Sequence, residues 1–362
     1  MADERSLAPE VRVLKTAEAV GTVIAHDITE IVPGKFKGPA FKKGHVVTEA
    51  DLEHLARLGK EHLYVLELGP GQMHEDEAAL VLAEALTTGP GVTFSPTPSE
   101  GKINLVAAHD GLLKVNVAAL TAFNLVDGVM CASRHTDTVV RAGEIVAGTR
   151  VIPLVIEEAV VRQAATLAQQ AVTARQTGGV FEVRPLLPRA AALIITGNEV
   201  FSHRIEDRFA AALTPKLEAY GCSILSRVLA PDDVDFIARC IRQALDRGAE
   251  LIVLTGGMSV DPDDVTRLGV LRAGGEDVVY GSSVLPGAML LLARIGDVPV
   301  MGVPACAIHH RNTVFDLVLP RILAGERLSR MDLALLAHGG LCLGCEDCRF
   351  PRCPLGKGGG RE

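Results

Sequence analysis

The chain has no tryptophan, and aromatic residues make up only 4% of its 362 positions. Proteins that hold single-stranded nucleic acid stack the bases on aromatic side chains, so this scarcity argues against such a platform. Positive charge is also in short supply, with 36 Lys and Arg against 44 Asp and Glu and a formal net charge of −8. Binding a phosphate backbone needs clustered cations, and no nucleic-acid partner is expected. Long apolar runs are missing as well. A membrane span needs roughly 18 consecutive apolar residues, whereas Ala288–Ala293 is only a short apolar patch. The first residues, MADERSLAPEVRVLK, mix both charge signs and hold no apolar segment of signal-peptide length. A cytoplasmic protein with no membrane contact is the expectation.

What is present reads as globular. With 48% hydrophobic and 22% charged residues the chain can bury cores, and its length suggests two or three domains of about 100–200 residues each. Cys131, Cys222, Cys240 and Cys306 are scattered in apolar surroundings and read as buried, reduced thiols. Cys342, Cys345, Cys348 and Cys353 instead crowd together as C-x2-C-x2-C-x4-C-P. In a chain read as cytoplasmic, such a cluster points to metal rather than disulfides. The spacing is that of a bacterial ferredoxin run with its last gap one residue longer. Four thiolates satisfy a closed zinc site equally well, so the pattern leaves iron–sulfur and zinc both open.

Residues 1–184 mix short apolar strands, glycine punctuation and a few helices, an α+β pattern. A helical face is expected at Ala79, Leu82, Ala83 and Leu86. From 185 to 330 strands and helices alternate. Strands are expected at Ala191–Ile195, Ile224–Leu229, Leu251–Leu254 and Val298–Val303, with helix faces at Phe209, Leu213 and Leu217 and at Val234, Ile237, Ile241 and Leu245. That alternation implies a parallel sheet covered on both faces, a three-layer α/β domain. Residues 331–362 form the cysteine-rich tail.

In open sheets of this kind ligands bind beyond the carboxyl ends of the strands. Three strands end in small or turn-forming residues: Thr196-Gly197-Asn198-Glu199, Thr255-Gly256-Gly257 and Pro304-Ala305-Cys306. No G-x-G-x-x-G fingerprint and no G-x-x-x-x-G-K-[ST] loop occurs. Thr255-Gly256-Gly257 followed by Ser259 offers free backbone N–H groups to an anionic oxygen. Acidic residues crowd the same region, at Asp261, Asp263 and Asp264 in the loop and at Glu199 and Asp207. Carboxylates repel a bound phosphate unless a divalent cation lies between them, and Mg²⁺ suits one or two carboxylates plus phosphate oxygens.

Three ordered segments and one acidic residue, TGNE at 196–199, Asp207, TGGMSVDPDDVT at 255–266 and PVMGVPA at 299–305, resemble the molybdopterin-binding domain of the MogA/MoaB proteins, gephyrin and the MoeA molybdenumtransferases. AVGTVIAHDI at 19–28 and RAGEIVAGTRVIPLVI at 141–156 extend the likeness to MoeA, over about residues 10–325. The resemblance implies a role in molybdenum cofactor biosynthesis: binding adenylylated molybdopterin and inserting molybdate, with Mg²⁺-assisted release of AMP. It implies that Thr196, Gly197, Thr255, Gly256, Gly257, Ser259, Pro286, Gly287 and Pro304 line the pterin site. It further implies that Asp264 bears on the Mg²⁺ ion, with Glu199 and Asp207 completing the acidic site. A homodimer and a molybdoenzyme acceptor follow from the same likeness.

The departures are specific. The Met-Asp-Gly-Tyr-Ala motif of MoeA chains is replaced near Lys35-Phe36-Lys37-Gly38-Pro39, the lysines around Pro286-Gly287 are absent, and Ala305-Cys306-Ala307 stands where Gly-Asn-Pro is usual. Lys35, Lys37, Lys42 and Lys43 are candidates to supply the missing cations, although charge runs are most often solvated faces. Arg134-His135-Thr136 reads as a turn, and His309 and His310 as polar residues at a helix start. The alternative reading of the whole chain is a non-catalytic carrier, chaperone or sensor of the pterin; a third is an electron-transfer module fused to a degenerate pterin domain.

Overall fold

The structure, a computed structural model, describes residues 11–32, 36–66, 68–99, 101–171, 179–258 and 265–358. It divides into two compact units. The first comprises Met1–Ala108, Val115–Arg134 and Ala142–Glu182; the second comprises His109–Lys114, His135–Arg141 and Val183–Glu362.

The first unit is α+β. Strands Val129–Ser133, Ile145–Val151, Lys102–Ala107 and Val92–Phe94 form an antiparallel sheet in that order. Helix Glu75–Leu86 presents Ala79, Leu82, Ala83 and Leu86 to the interior, all with no exposed surface, as the helical spacing predicts. Its first turn carries Glu75, Asp76 and Glu77, which suits the positive end of the helix. A smaller sheet pairs Val11–Lys15, His62–Leu66 and Val23–Ile24 around Leu55 of the helix Asp51–Arg57.

The second unit is built on a six-stranded sheet in the order Ser223–Ala230, Ala190–Thr196, Leu251–Thr255, Val298–Val303, Leu291–Ile295, Glu276–Tyr280. The first four strands are parallel, as the strand and helix alternation predicts. The last two join by antiparallel pairings, with Leu291–Ile295 running against the four parallel strands, and extend the sheet at one edge. The reversal is local: Ile295 and Val298 pair across the turn at Gly296-Asp297, so no crossover helix is needed.

Both faces of this sheet are covered, because apolar residues run continuously along its central strands. Ala191, Leu193 and Ile195 pack with Phe209, Leu213 and Leu217 and with Phe315 and Val318. Ala192 and Ile194 point the other way, against Ile237, Ile241 and Val270. The period-two alternation of a strand therefore feeds two cores, and the unit is three layers thick. Helix Val314–Leu323 starts four residues later than a start at His310 would give, because Thr313 and Asp316 form a capping box there. A buried cluster ties residues from the first half of the chain into this unit: Arg321 lies 2.8 Å from Glu326 and 3.4 Å from Asp332, and Lys114 lies 2.6 Å from Glu326.

Candidate functional site

Ile195 pairs with Thr255 and Thr255 with Val303, so three neighbouring parallel strands end at one level. The strand that follows Ala190–Thr196 in sequence lies on one side of it and Leu251–Thr255 lies on the other. This is a topological switch point, where the chain leaves adjacent strands in opposite directions and a crevice opens. A cleft of about 1050 Å³ lies there.

The cleft brings together Thr196, Gly197 and Glu199 from the first strand end, Gly256 and Gly257 from the second, Pro304 from the third, and Pro286 and Gly287 from the segment between the edge strands. All eight were named from the sequence as candidate site residues, and the fold brings them to one cleft. Thr255 is buried just beneath, with 1% of its surface exposed. Ser259, Asp261, Asp263 and Asp264 lie outside the described residues.

Three threonines fix the glycine turn. The Thr196 hydroxyl donates to the Thr255 carbonyl at 2.9 Å and lies 2.9 Å from the Thr266 hydroxyl, which donates to the Gly256 carbonyl at 3.0 Å. The backbone N–H of Thr266 then closes on the Gly257 carbonyl at 3.1 Å. Gly256 and Gly257 both have positive φ, +83° and +54°. A Cβ on Gly256 would stand 2.2 Å from the Thr196 carbonyl oxygen, and one on Gly257 2.5 Å from the Thr266 hydroxyl. Only glycine meets both the backbone and the space requirement. The Thr-Gly-Gly sequence is thus explained by packing as well as by a bare backbone facing the cleft.

The acidic residues separate into different roles. Glu199 lines the cleft, as do Glu206 and Asp232, which the sequence reading did not single out. Asp232 is held by an exchange of hydrogen bonds with Asn198: its carboxylate accepts from the Asn198 N–H at 2.9 Å and its own N–H donates to the Asn198 side chain at 3.2 Å. Asp207, assigned to the acidic site by the resemblance, does not line the cleft. Its carboxylate accepts from the N–H groups of Phe209 and Ala210 at 2.7 and 3.2 Å and also pairs with Arg227, so it caps the helix Phe209–Glu218.

Arg208 and His309 also line the cleft. His309 closes the short turn Ala305–Ile308 at the third strand end, so a residue read as part of a helix start faces the ligand space. Cys306 lies beside it with its thiol pushed up from the usual value by burial. Neither could be assigned from spacing alone, since nothing in the sequence shows where the chain turns after Pro304. Lys42 and Lys43 belong to the first unit, and Lys35 lies outside the described residues. Arg134 pairs with Glu144 at 2.6 Å, both half-solvated, as a turn residue would.

Cys342, Cys345, Cys348 and Cys353 all line one small cavity of about 30 Å³. Among the described residues no three His, Cys, Asp or Glu side chains converge on a position for a single ion. No helix among the described residues is long and apolar enough to cross a membrane.

Residues 192–324 match the family described as a probable molybdopterin binding domain, and residues 13–67 match a domain of unknown function, DUF8806. A protein of Pyrobaculum aerophilum is 35% identical over 95 residues, 26% of this chain and 35% of its own length. A CinA-like protein of Frankia casuarinae is 38% identical over 85 residues, 24% of this chain and 19% of its own. The chain thus spans about a third or less of these relatives. Among solved structures, MoaB of Thermus thermophilus aligns with 38% of this chain and 98% of its own at 20% identity and a TM-score of 0.33. A MoeA protein of Pyrococcus horikoshii aligns with 88% of this chain and 75% of its own at 14% identity and a TM-score of 0.31.

Proposed function

Because residues 192–324 carry a probable molybdopterin binding domain, we propose that the cleft binds molybdopterin in its adenylylated form and inserts molybdate with release of AMP. The observation that carries this reading is the locked Gly256-Gly257 turn, which opens on a cleft with Glu199 on one wall and Pro286-Gly287 on another. Bare backbone at a strand end takes a phosphate through its N–H groups. The long cleft accommodates a pterin along Pro286 and Pro304, with the nucleotide end towards Glu199 and Asp232.

The acidic residues suit a hard divalent cation, since Glu199 and Asp232 line the same cleft as the glycine turn and Mg²⁺ takes only one or two carboxylates beside phosphate oxygens. When bound, Mg²⁺ neutralises the phosphate charge that develops as AMP leaves. Asp264, which follows the glycine turn, is assigned to the same ion. Arg208 supplies the positive charge that Leu285 and Ala288 do not, and so replaces the lysines missing around Pro286-Gly287 in holding the molybdate oxyanion. The same reading makes the tail thiols ligands of zinc or iron–sulfur, the chain a homodimer and a molybdoenzyme the acceptor.

Incubating the chain with molybdopterin-AMP, molybdate and Mg²⁺ and measuring AMP by chromatography tests the reading; stoichiometric or catalytic AMP release is expected. Tight pterin binding without AMP release favours the carrier alternative, which the uncharged flanks of Pro286-Gly287 support. No pterin binding at all removes both.

A further inference from the structure

A second cleft, of about 380 Å³, lies on the second unit and shares no lining residue with the first. Its lining comes from the edge strands Glu276–Tyr280 and Leu291–Ile295 and from the segment 326–330. Pro299 and Val300 also line it, at the start of the strand Val298–Val303, whose other end leads to Pro304 in the first cleft. Val279, Leu292 and Ile322 make part of the lining apolar, and Arg294, Arg327 and Arg330 bring three positive charges to it.

Two of these guanidinium groups converge on one atom. Arg294 and Arg327 donate to the same carboxylate oxygen of Asp297, at 3.0 and 3.3 Å. Asp297 sits on the turn between the strands with 95% of its side chain exposed, so water competes for both bonds and the pairs hold it weakly. Arg330 is anchored separately, through one nitrogen, to the Tyr280 and Gly281 carbonyls at 2.7 and 3.1 Å. Among the described residues no other group accepts from these three guanidinium groups. Of the two acids on the lining, Glu326 is already paired with Lys114 and Arg321, at 2.6 and 2.8 Å, which leaves Asp277 alone against three arginines.

A pair of guanidinium groups aimed at one oxygen is the arrangement that grips a carboxylate or a phosphate. The volume lies in the range of small-molecule sites, about 300–1,000 Å³, and leaves room beyond a bare inorganic ion. We propose that this cleft binds a small organic anion, an apolar body with one carboxylate or phosphate head. The head displaces Asp297 from Arg294 and Arg327, and the body lies against Val279 and Leu292. This site stands whatever the first cleft binds.

The test uses probes that separate head from body: hexyl phosphate and hexanoate carry both, hexanol the body alone and inorganic phosphate the head alone. Calorimetry on the full chain should show saturable binding of hexyl phosphate or hexanoate, and the tighter of the two identifies the head. Hexanol and inorganic phosphate should bind about tenfold or more weakly. Neither anion binding, or hexanol binding as tightly as the anions, overturns the proposal; inorganic phosphate matching hexyl phosphate overturns the apolar body. Arg327→Gln, at a side chain 68% exposed and so dispensable for folding, should weaken anion binding about tenfold or more. Arg294→Gln should do the same, with its unfolding midpoint measured alongside. Asp297→Asn removes the competing carboxylate and should tighten binding by about twofold or more. Unchanged affinity in both arginine variants overturns the site, and unchanged affinity in Asp297→Asn overturns the displacement.

Discussion

The hydroxyls of Thr196 and Thr266 lie 2.9 Å apart, although the residues are 70 positions apart in sequence. Both side chains are buried, at 2% and 0% exposure, and between them they hold the Thr255 and Gly256 carbonyls. Thr266→Val keeps the shape and removes the hydroxyl. It leaves the Gly256 carbonyl without its partner, which should cost about 1–3 kcal/mol in urea unfolding and weaken molybdopterin binding. Unchanged affinity at reduced stability would show that the glycine turn does not touch the ligand.

Gly256→Ala should be more damaging than its small change suggests. The added Cβ meets the Thr196 carbonyl oxygen at 2.2 Å on a backbone with φ of +83°, so the strand ends must separate. Gly248 has a similar φ of +88° with nothing within 4 Å. Gly248→Ala should therefore cost only about 1 kcal/mol and leave ligand binding unaltered, whereas Gly256→Ala should lose both stability and binding, as read by thermal shift with and without pterin.

Asp207 and Glu199 separate structure from function. Asp207→Ala removes a helix cap and should lower stability by about 1–2 kcal/mol, with pterin affinity retained. Glu199→Gln should leave the unfolding midpoint nearly unchanged and reduce AMP release by about tenfold or more. Loss of AMP release in a stable Asp207→Ala protein would return Asp207 to the site.

In the first unit, burial pushes the Glu75 carboxyl above its ordinary value of 4.5, opposed by Arg150 at 3.1 Å. A carboxyl with a raised folded-state pKa binds its proton more tightly in the folded protein, so stability falls as pH rises from 4.5 through the folded value and then stays flat. Urea midpoints measured across that window should show the decline in the parent chain. Glu75→Gln, which does not titrate, should flatten it.

Burial pushes the Cys131 thiol up to about 12, and its surface is 5% exposed. Only the thiolate reacts with an alkylating agent. In the native, metal-free protein at mildly alkaline pH, Cys345, which is exposed, should be alkylated first and Cys131 only on unfolding, as mass spectrometry of tryptic peptides would show.

The sequence by itself determined the layers and one edge of the site. Continuous apolar strands such as Ala191–Ile195 and Leu251–Leu254 must be buried on both faces, so helices had to cover both, and the Thr-Gly-Gly and Thr-Gly-Asn-Glu ends had to lie at one level of a parallel sheet. Local periodicity carries that information because it depends on neighbours a few residues away. The tertiary structure decided what depends on distant neighbours. It gave Asp207 to a helix end and Arg227 rather than to the cleft, and brought Asp232 and His309 into it. It reversed the strand Leu291–Ile295, and it joined Cys342 to Leu285 and Cys348 to Asn312. The pairings of Asp207 with Arg227, of Asn198 with Asp232 and of Asn312 with Cys348 join residues 20 or more positions apart, and such contacts leave no period in the sequence.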